Sequence, residues 1–282
     1  MNNRPYKTDM PVLLTVKPMS GDKFNFKLKL WHVFPVLLFV LFYSTFGFAD
    51  AGPAKSSVFE TLVRWMPLLL KGFLFNLLIS VLAMGVGTAV GATLGLGQIS
   101  QSAWVRKFAW FVTQFFRNSP WLVLLFFAMF LLPFEVEIVG VKIPLPDWLK
   151  ATIGLSLPVM ANVSEIVRGA VKSLPSGQWE AAESLAYTRT QTLWLIILPQ
   201  CVKRMLPPWM NLYSILTMAT VLASIVGVSE VMTLTGQVLS SEGGRPELLA
   251  PFYSFVLLLF FAYCYPIARF TVHLEKRFAV IS

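Results

Sequence analysis

Long apolar runs dominate this chain, and its polar residues fall between the runs rather than alternating within them. A helix needs about 20 mainly apolar residues to cross a bilayer. Six stretches meet that requirement: 31–49, 72–97, 108–133, 149–170, 208–234 and 249–271. The segment 134–148, with Glu135, Glu137, Pro144, Pro146 and Asp147, is too polar to span and reads as an outer loop. The stretch 238–248, VLSSEGGRPEL, reads the same way. The pattern predicts an all-α, polytopic integral membrane helical bundle with six transmembrane helices.

Positive charge orients the bundle. With a cytoplasmic N-terminus, the inner segments 1–30, 98–117, 168–204 and 269–282 hold six, three, five and three Lys and Arg residues, 17 of the 23 in the chain. Both termini and the polar stretch at about 172–204 are therefore expected in the cytoplasm. Residues 1–30 form a basic tail, and 31–49 reads as an extra N-terminal span. A secretory signal is the alternative, because Ala49-Asp50-Ala51 offers a small-x-small pattern. A signal's apolar region is about 7–15 residues, shorter than this one, and Trp31, Phe46 and Phe48 suit membrane interfaces, so a retained anchor is expected.

Composition supports the same class. Hydrophobic residues make up 56% of the chain and charged residues only 13%, against about 25% charged in soluble domains. The 24 phenylalanines and nine tryptophans suit lipid-facing surfaces and interfacial belts. The net charge of +9 sits at the ends of apolar runs and forms no basic stripe, which argues against nucleic acid as a partner. Cys201 and Cys264 imply no disulfide framework. His32 and His273 lie near span ends, and no metal cluster, nucleophile elbow or acid–base pair accompanies them, so an enzyme is a poor reading.

Several features inside the spans bear on mechanism. Gly87, Gly91 and Gly95, flanked by Gly85 and Gly97, share one helix face and predict close helix packing. A nucleotide-binding glycine loop would need a preceding strand and a following Lys-Ser/Thr, and neither is present. The third span is interrupted at Arg117-Asn118-Ser119-Pro120, with Pro120 expected at a first helical position and Ser119 as its N-cap. That break is either a kink before the helix enters lipid, or a broken helix whose positive end faces a substrate carboxylate. Glu165 and Arg168, three residues apart near the inner end of the fourth span, are either a helical ion pair or a gate. Ser214, Thr217, Thr220 and Ser224, extended by Asn211, form a polar stripe on the fifth span that either packs or lines a conduit. Glu230 is an outer-gate candidate against the reading of a solvated loop-edge charge.

The stretch EAAESLAYTRTQTLWLIILP, from Glu180 to Pro199, lies between the fourth and fifth spans. Pro175, Ser176 and Gly177 stop the fourth span. Ser176 is placed to cap a short helix over 178–185. Ala181 and Ala182 keep that helix slim enough to enter a groove on a partner, and Trp179 adds an aromatic anchor. Thr188-Arg189-Thr190-Gln191 matches a capping box that starts a second helix toward Leu198-Pro199.

This stretch resembles the EAA loop of ABC-transporter permeases: E-A-A, three residues, Gly, nine residues, then I-x-L-P. Glu180, Ala181, Ala182, Ile196, Leu198 and Pro199 fall at the family spacing, and Ala186 replaces the glycine. In the left-handed conformation expected there, alanine costs about 1 kcal/mol. The segments SEIVRG at 164–169, LPSGQ at 174–178, FRNSPWLVLLFF at 116–127 and YPIAR at 265–269 resemble the polar amino-acid branch of that family. The similarity covers about 70–275.

The resemblance implies a five-helix permease core plus one N-terminal span in a bacterial inner membrane. It implies ATPase coupling through Gly177, Gln178, Trp179, Glu180, Ala181, Ala182, Glu183, Ala186, Leu198 and Pro199. The residues singled out within the spans, Arg117, Ser119, Glu165, Arg168, Ser214, Thr217, Thr220, Ser224 and Glu230, are the candidate pathway or gate. The expected partners are a cytoplasmic ATPase dimer, a second permease subunit, identical or paralogous, and a periplasmic substrate-binding protein. No cofactor is expected in this chain, since the partner ATPase uses the ATP. Another small solute, or a membrane-embedded enzyme or assembly factor, remains an alternative.

Overall fold

The computed structural model describes residues 57–138 and 141–278. The expected N-terminal tail and the 31–49 span lie outside the described residues. Helix α1 (Val58–Gln98) opens with a capping box: the Glu60 amide donates to Ser57 Oγ and the Ser57 amide to the Glu60 carboxylate, both at 3.2 Å. This cap starts the helix 14 residues before the expected span. At 41 residues, α1 is about 60 Å long and exceeds the hydrocarbon thickness.

The expected third span is two helices, α2 (Ala103–Arg117) and α3 (Trp121–Leu131), bent by 105°. Side chains end α2: Asn118 Nδ2 donates to the Gln114 carbonyl at 2.7 Å, and Ser119 Oγ donates to the Phe115 carbonyl at 2.7 Å. Ser119 is therefore not the cap of α3. Pro120, with φ −61° and ψ 133°, occupies the cap position itself. A residue before proline is biased toward extended backbone, which completes the break.

The polar 134–148 segment carries a short antiparallel hairpin, β1 (Glu135–Ile138) with β2 (Val141–Pro144), pairing Glu135 with Pro144 and Ile138 with Val141. Helix α4 (Asp147–Lys172) follows, then the short α5 (Gly177–Ser184). Helix α6 (Arg189–Val226) has a π-helical stretch at Thr192–Ile197 and a 3-10 end at Thr220–Val226. Gly227, at φ +89°, stops it in the left-handed region. The expected fifth span 208–234 therefore ends at Val226, and α7 (Val231–Ser241) begins beyond it. Helix α8 (Pro246–Phe278) closes the described chain.

Helix α4 is central and packs most extensively on α1. Its Leu155, Val159 and Val163 meet Ile79 and Ala83 of α1, Leu125 of α3 and Leu216 of α6 in the main core. The glycine face of α1 makes this approach possible. A Cβ at Gly87 would lie 2.4 Å from Val159 Cγ1, one at Gly91 2.5 Å from the Met160 carbonyl oxygen, and one at Gly95 2.7 Å from Val167 Cβ.

Helices α1, α6 and α8 are long and apolar enough to cross a membrane, and the bent α2–α3 pair is a fourth candidate. Helix α4 is long enough at 26 residues but is not among them. Its polar Asn162, Ser164, Glu165 and Arg168 are matched by protein partners instead of facing lipid.

Candidate functional site

The loop between α4 and α6 is built by backbone geometry. Ser176 does not cap α5 with its side chain; it is already helical at φ −59° and ψ −31°, and its carbonyl accepts from the Trp179 amide at 2.8 Å. A side-chain cap requires extended backbone at that residue. The far end is a full Schellman motif: the Tyr187 amide donates to the Ala182 carbonyl at 3.1 Å and the Ala186 amide to the Glu183 carbonyl at 2.9 Å. Ala186 has φ +60°, the left-handed conformation that the family glycine position demands. The capping box starting α6 is also present, with the Gln191 amide donating to Thr188 Oγ1 at 3.3 Å and the Thr188 amide to Gln191 Oε1 at 2.9 Å.

The two alanines of α5 diverge. Ala182 is buried against the chain's own body, and only Ala181 faces outward with Glu180, Glu183 and Ser184. Trp179 also turns inward, onto a small core of Ala170, Val171, Leu174 and Ile197, with the Arg189 guanidinium 5.3 Å from its ring centre. It anchors the loop to the bundle. Leu198 packs on the same small core, while Pro199 is exposed. A Cβ at Gly177 would meet nothing within 4 Å, and Gln178 leaves a buried Oε1 without a donor. Sequence reasoning missed Leu185, 73% exposed at the end of α5, beside the exposed Tyr187. An apolar residue just before a helix-stop position was the available signal.

A second group lies where α1 and α4 end. Glu165 accepts from Arg168 Nη2 at 2.5 Å and from the Gln98 and Gln114 amide nitrogens at 3.3 Å each. Arg117 reaches it at 3.6 Å. The expected ion pair is thus the hub of a cluster joining α1, α2 and α4. Arg117 and Glu165 line a cavity of about 570 Å³ with Asn162, Arg204 and Asn211. Arg204 also donates to the Ser173 carbonyl and hydroxyl at 2.9 Å. Gln98, Gln114 and Arg204 were not legible as site residues, because only the helix crossing brings them together. Ser119 does not line this cavity.

The polar stripe on α6 faces packed protein. Ser214, Thr217 and Thr220 are buried, and with Ser224 they donate to carbonyls of their own helix at 2.7–3.4 Å. Thr217 and Thr220 expose no surface in this structure. Glu230 is neither exposed nor at a solvated loop edge. Its Oε1 accepts the Met232 and Thr233 amides at 2.9 and 3.0 Å, so it caps α7. Asn76 of α1 donates from Nδ2 to Glu230 Oε2 at 2.9 Å and to Thr220 Oγ1 at 3.0 Å, and accepts the Val231 amide at 3.1 Å. A buried carboxylate is tolerated when its lone pairs are filled in this way. No cluster of metal-ligating side chains occurs among the described residues.

A bundle with several helices long and apolar enough to cross a membrane defines an integral membrane protein. Residues 85–280 match the profile of the binding-protein-dependent transport system inner membrane component, and the chain belongs to that family. It is 36% identical over 217 residues to a Bacillus subtilis protein named "Probable amino-acid ABC transporter permease protein YckA", spanning 77% of this chain and 92% of that one. It is 32% identical over 216 residues to the Escherichia coli "Inner membrane amino-acid ABC transporter permease protein YhdY", spanning 73% of this chain and 55% of that longer one. The fold is shared with the structure titled "Crystal structure of an amino acid ABC transporter with histidines", at TM-score 0.67 and 22% identity over 79% of this chain and all of that one. It is also shared with the MetNI methionine ABC transporter, at TM-score 0.60 and 20% identity, covering 77% and 99% of the two chains.

Proposed function

We propose that this chain is the pore-forming subunit of a bacterial ABC importer for an amino acid. The observation that carries the reading is the α5 loop: a short, rigidly terminated helix whose outward face of Glu180, Ala181, Glu183, Leu185 and Tyr187 is left exposed by the described residues. The names of its relatives supply the substrate class. On this reading the loop docks into a cytoplasmic ATPase dimer, and the chain pairs with a second permease, identical or paralogous. A periplasmic binding protein delivers the solute. The domain spans about 70–275, preceded by an anchor at 31–49, with six spans and both termini in the cytoplasm.

The solute path runs beside the Arg117–Glu165 cavity, where Arg117 and Arg204 are matched to a carboxylate and Glu165 to an ammonium group. ATPase closure moves α5, and the Ala170–Ile197 core under Trp179 passes that movement into α4 and α6. Glu165 and Arg168 then act as an ion-paired latch between α1, α2 and α4. Purification of the tagged chain from its native membrane tests the assignment. An ABC-type ATPase should accompany the wild type, and its consistent absence would favour the enzyme or assembly-factor reading.

A further inference from the structure

A cavity beside the α5 loop has no role in the reading above. It encloses about 700 Å³ between the end of α1, the start of α2, the end of α4 and the loop. Arg106, Lys172 and Arg189 line it, and no carboxylate does. Arg106 Nη1 donates to the carbonyls of Ser100 and Gln101, at 2.9 and 3.3 Å, and Arg189 lies over Trp179. None of the three cations forms an ion pair among the described residues. Three like charges converging without a counter-charge make a site for an anion. The floor is apolar, from Leu174, Leu193 and the Trp179 ring.

Gln98 adds a second, independent observation. It lines the cavity and is 5% exposed. Its Nε2 is fully engaged with Thr113, Ser164 and Glu165, while its buried Oε1 has no donor. An occupant with a hydroxyl group would supply one.

We propose that this cavity holds the headgroup of an anionic phospholipid, with the phosphate on Arg106, Lys172 and Arg189 and a headgroup hydroxyl donating to Gln98 Oε1. The neighbouring helix argues for a lipid source. Trp104 on α2 is 86% exposed, and Phe108, Phe111 and Phe115 are exposed as well, while Arg106, Lys107 and Arg117 share that helix. Aromatic and basic residues on one amphipathic helix place it at the headgroup level, where the cavity opens beside it. A bound headgroup would then tie the Arg189 end of the loop to the membrane surface.

The test is native mass spectrometry of the full chain in neutral detergent, titrated with phosphatidylglycerol or phosphatidylcholine. ATPase coupling does not enter this measurement, so the two readings fail separately. Wild type should retain phosphatidylglycerol in preference to phosphatidylcholine. Lys172→Gln should weaken that retention about five-fold, the effect of one cation near an anionic surface. Lys172→Arg should restore it, and Lys107→Gln, outside the cavity, should leave it unchanged. Unchanged phosphatidylglycerol binding in Lys172→Gln overturns the proposal. Soluble glycerol phosphate binding as tightly as the lipid would assign the site to a free anion. Either result refutes the lipid site.

Discussion

Replacing Ala186 by glycine should tighten the α5 loop. Ala186 sits at φ +60°, where an L-residue pays roughly 1–2 kcal/mol. Glycine removes that strain but loses roughly 0.5–1 kcal/mol more chain entropy on ordering. The balance favours glycine by about 0.7 kcal/mol, about a three-fold drop in the open population of the loop. The amides that report it are those of Leu185, Ala186 and Tyr187, which donate to the carbonyls of Ala182, Glu183 and Ala182 at 3.1, 2.9 and 3.1 Å. Hydrogen exchange of peptides covering 182–187 should slow about three-fold in Ala186→Gly. In Ala186→Val it should accelerate, because a β-branched residue at positive φ is a severe outlier. Equal exchange in all three proteins would show that residue 186 is not left-handed in the membrane, and the Schellman termination would be wrong.

Gly91→Ala would place a Cβ 2.5 Å from the Met160 carbonyl oxygen. It should lower stability by about 1–3 kcal/mol in a thermal melt in detergent, whereas Gly85→Ala, with nothing within 4 Å, should not. Cysteines placed at 217 and 220 should resist small water-soluble thiol reagents, while one at the exposed, cavity-lining Asn211 should react; labelling at 220 would restore the conduit reading. Glu230→Ala strips the cap from α7 and one partner from Asn76, and should destabilise the fold by about 2 kcal/mol, read by the same melt. Intact mass near 31.6 kDa for protein purified from its native membrane is expected for a retained N-terminal anchor, and an N-terminus near residue 50 would contradict it.

Much of the helical architecture was legible because its signals are local. Apolar runs located α1, α6 and α8, and glycines four apart identified the α1 face that receives α4. The family spacing around Glu180 located the loop, and the alanine at 186 pointed to the one non-glycine residue at positive φ among the described residues. What was not legible depends on crossings between distant segments. Charges at Glu60, Arg64 and Lys71 hid the first turns of α1 from a hydropathy window, although Ser57 and Glu60 cap them. The inward turn of Trp179 and Ala182 depends on where Val171 and Ile197 lie. Glu230 was read as an edge charge because its partner Asn76 is 154 residues away. Periodicity groups the polar residues of α6 but does not reveal what they meet.

The central claim is that α5 transmits ATPase motion, and Glu180→Lys tests it most directly. The side chain is exposed on the outward face and, among the described residues, has no hydrogen-bonded partner from another element, so the substitution should leave folding and membrane insertion unchanged. In the reconstituted transporter with its cognate ATPase, stimulation of ATP hydrolysis by loaded binding protein should fall sharply, while the same ATPase without this chain keeps its basal rate. Full stimulation in Glu180→Lys would contradict the account.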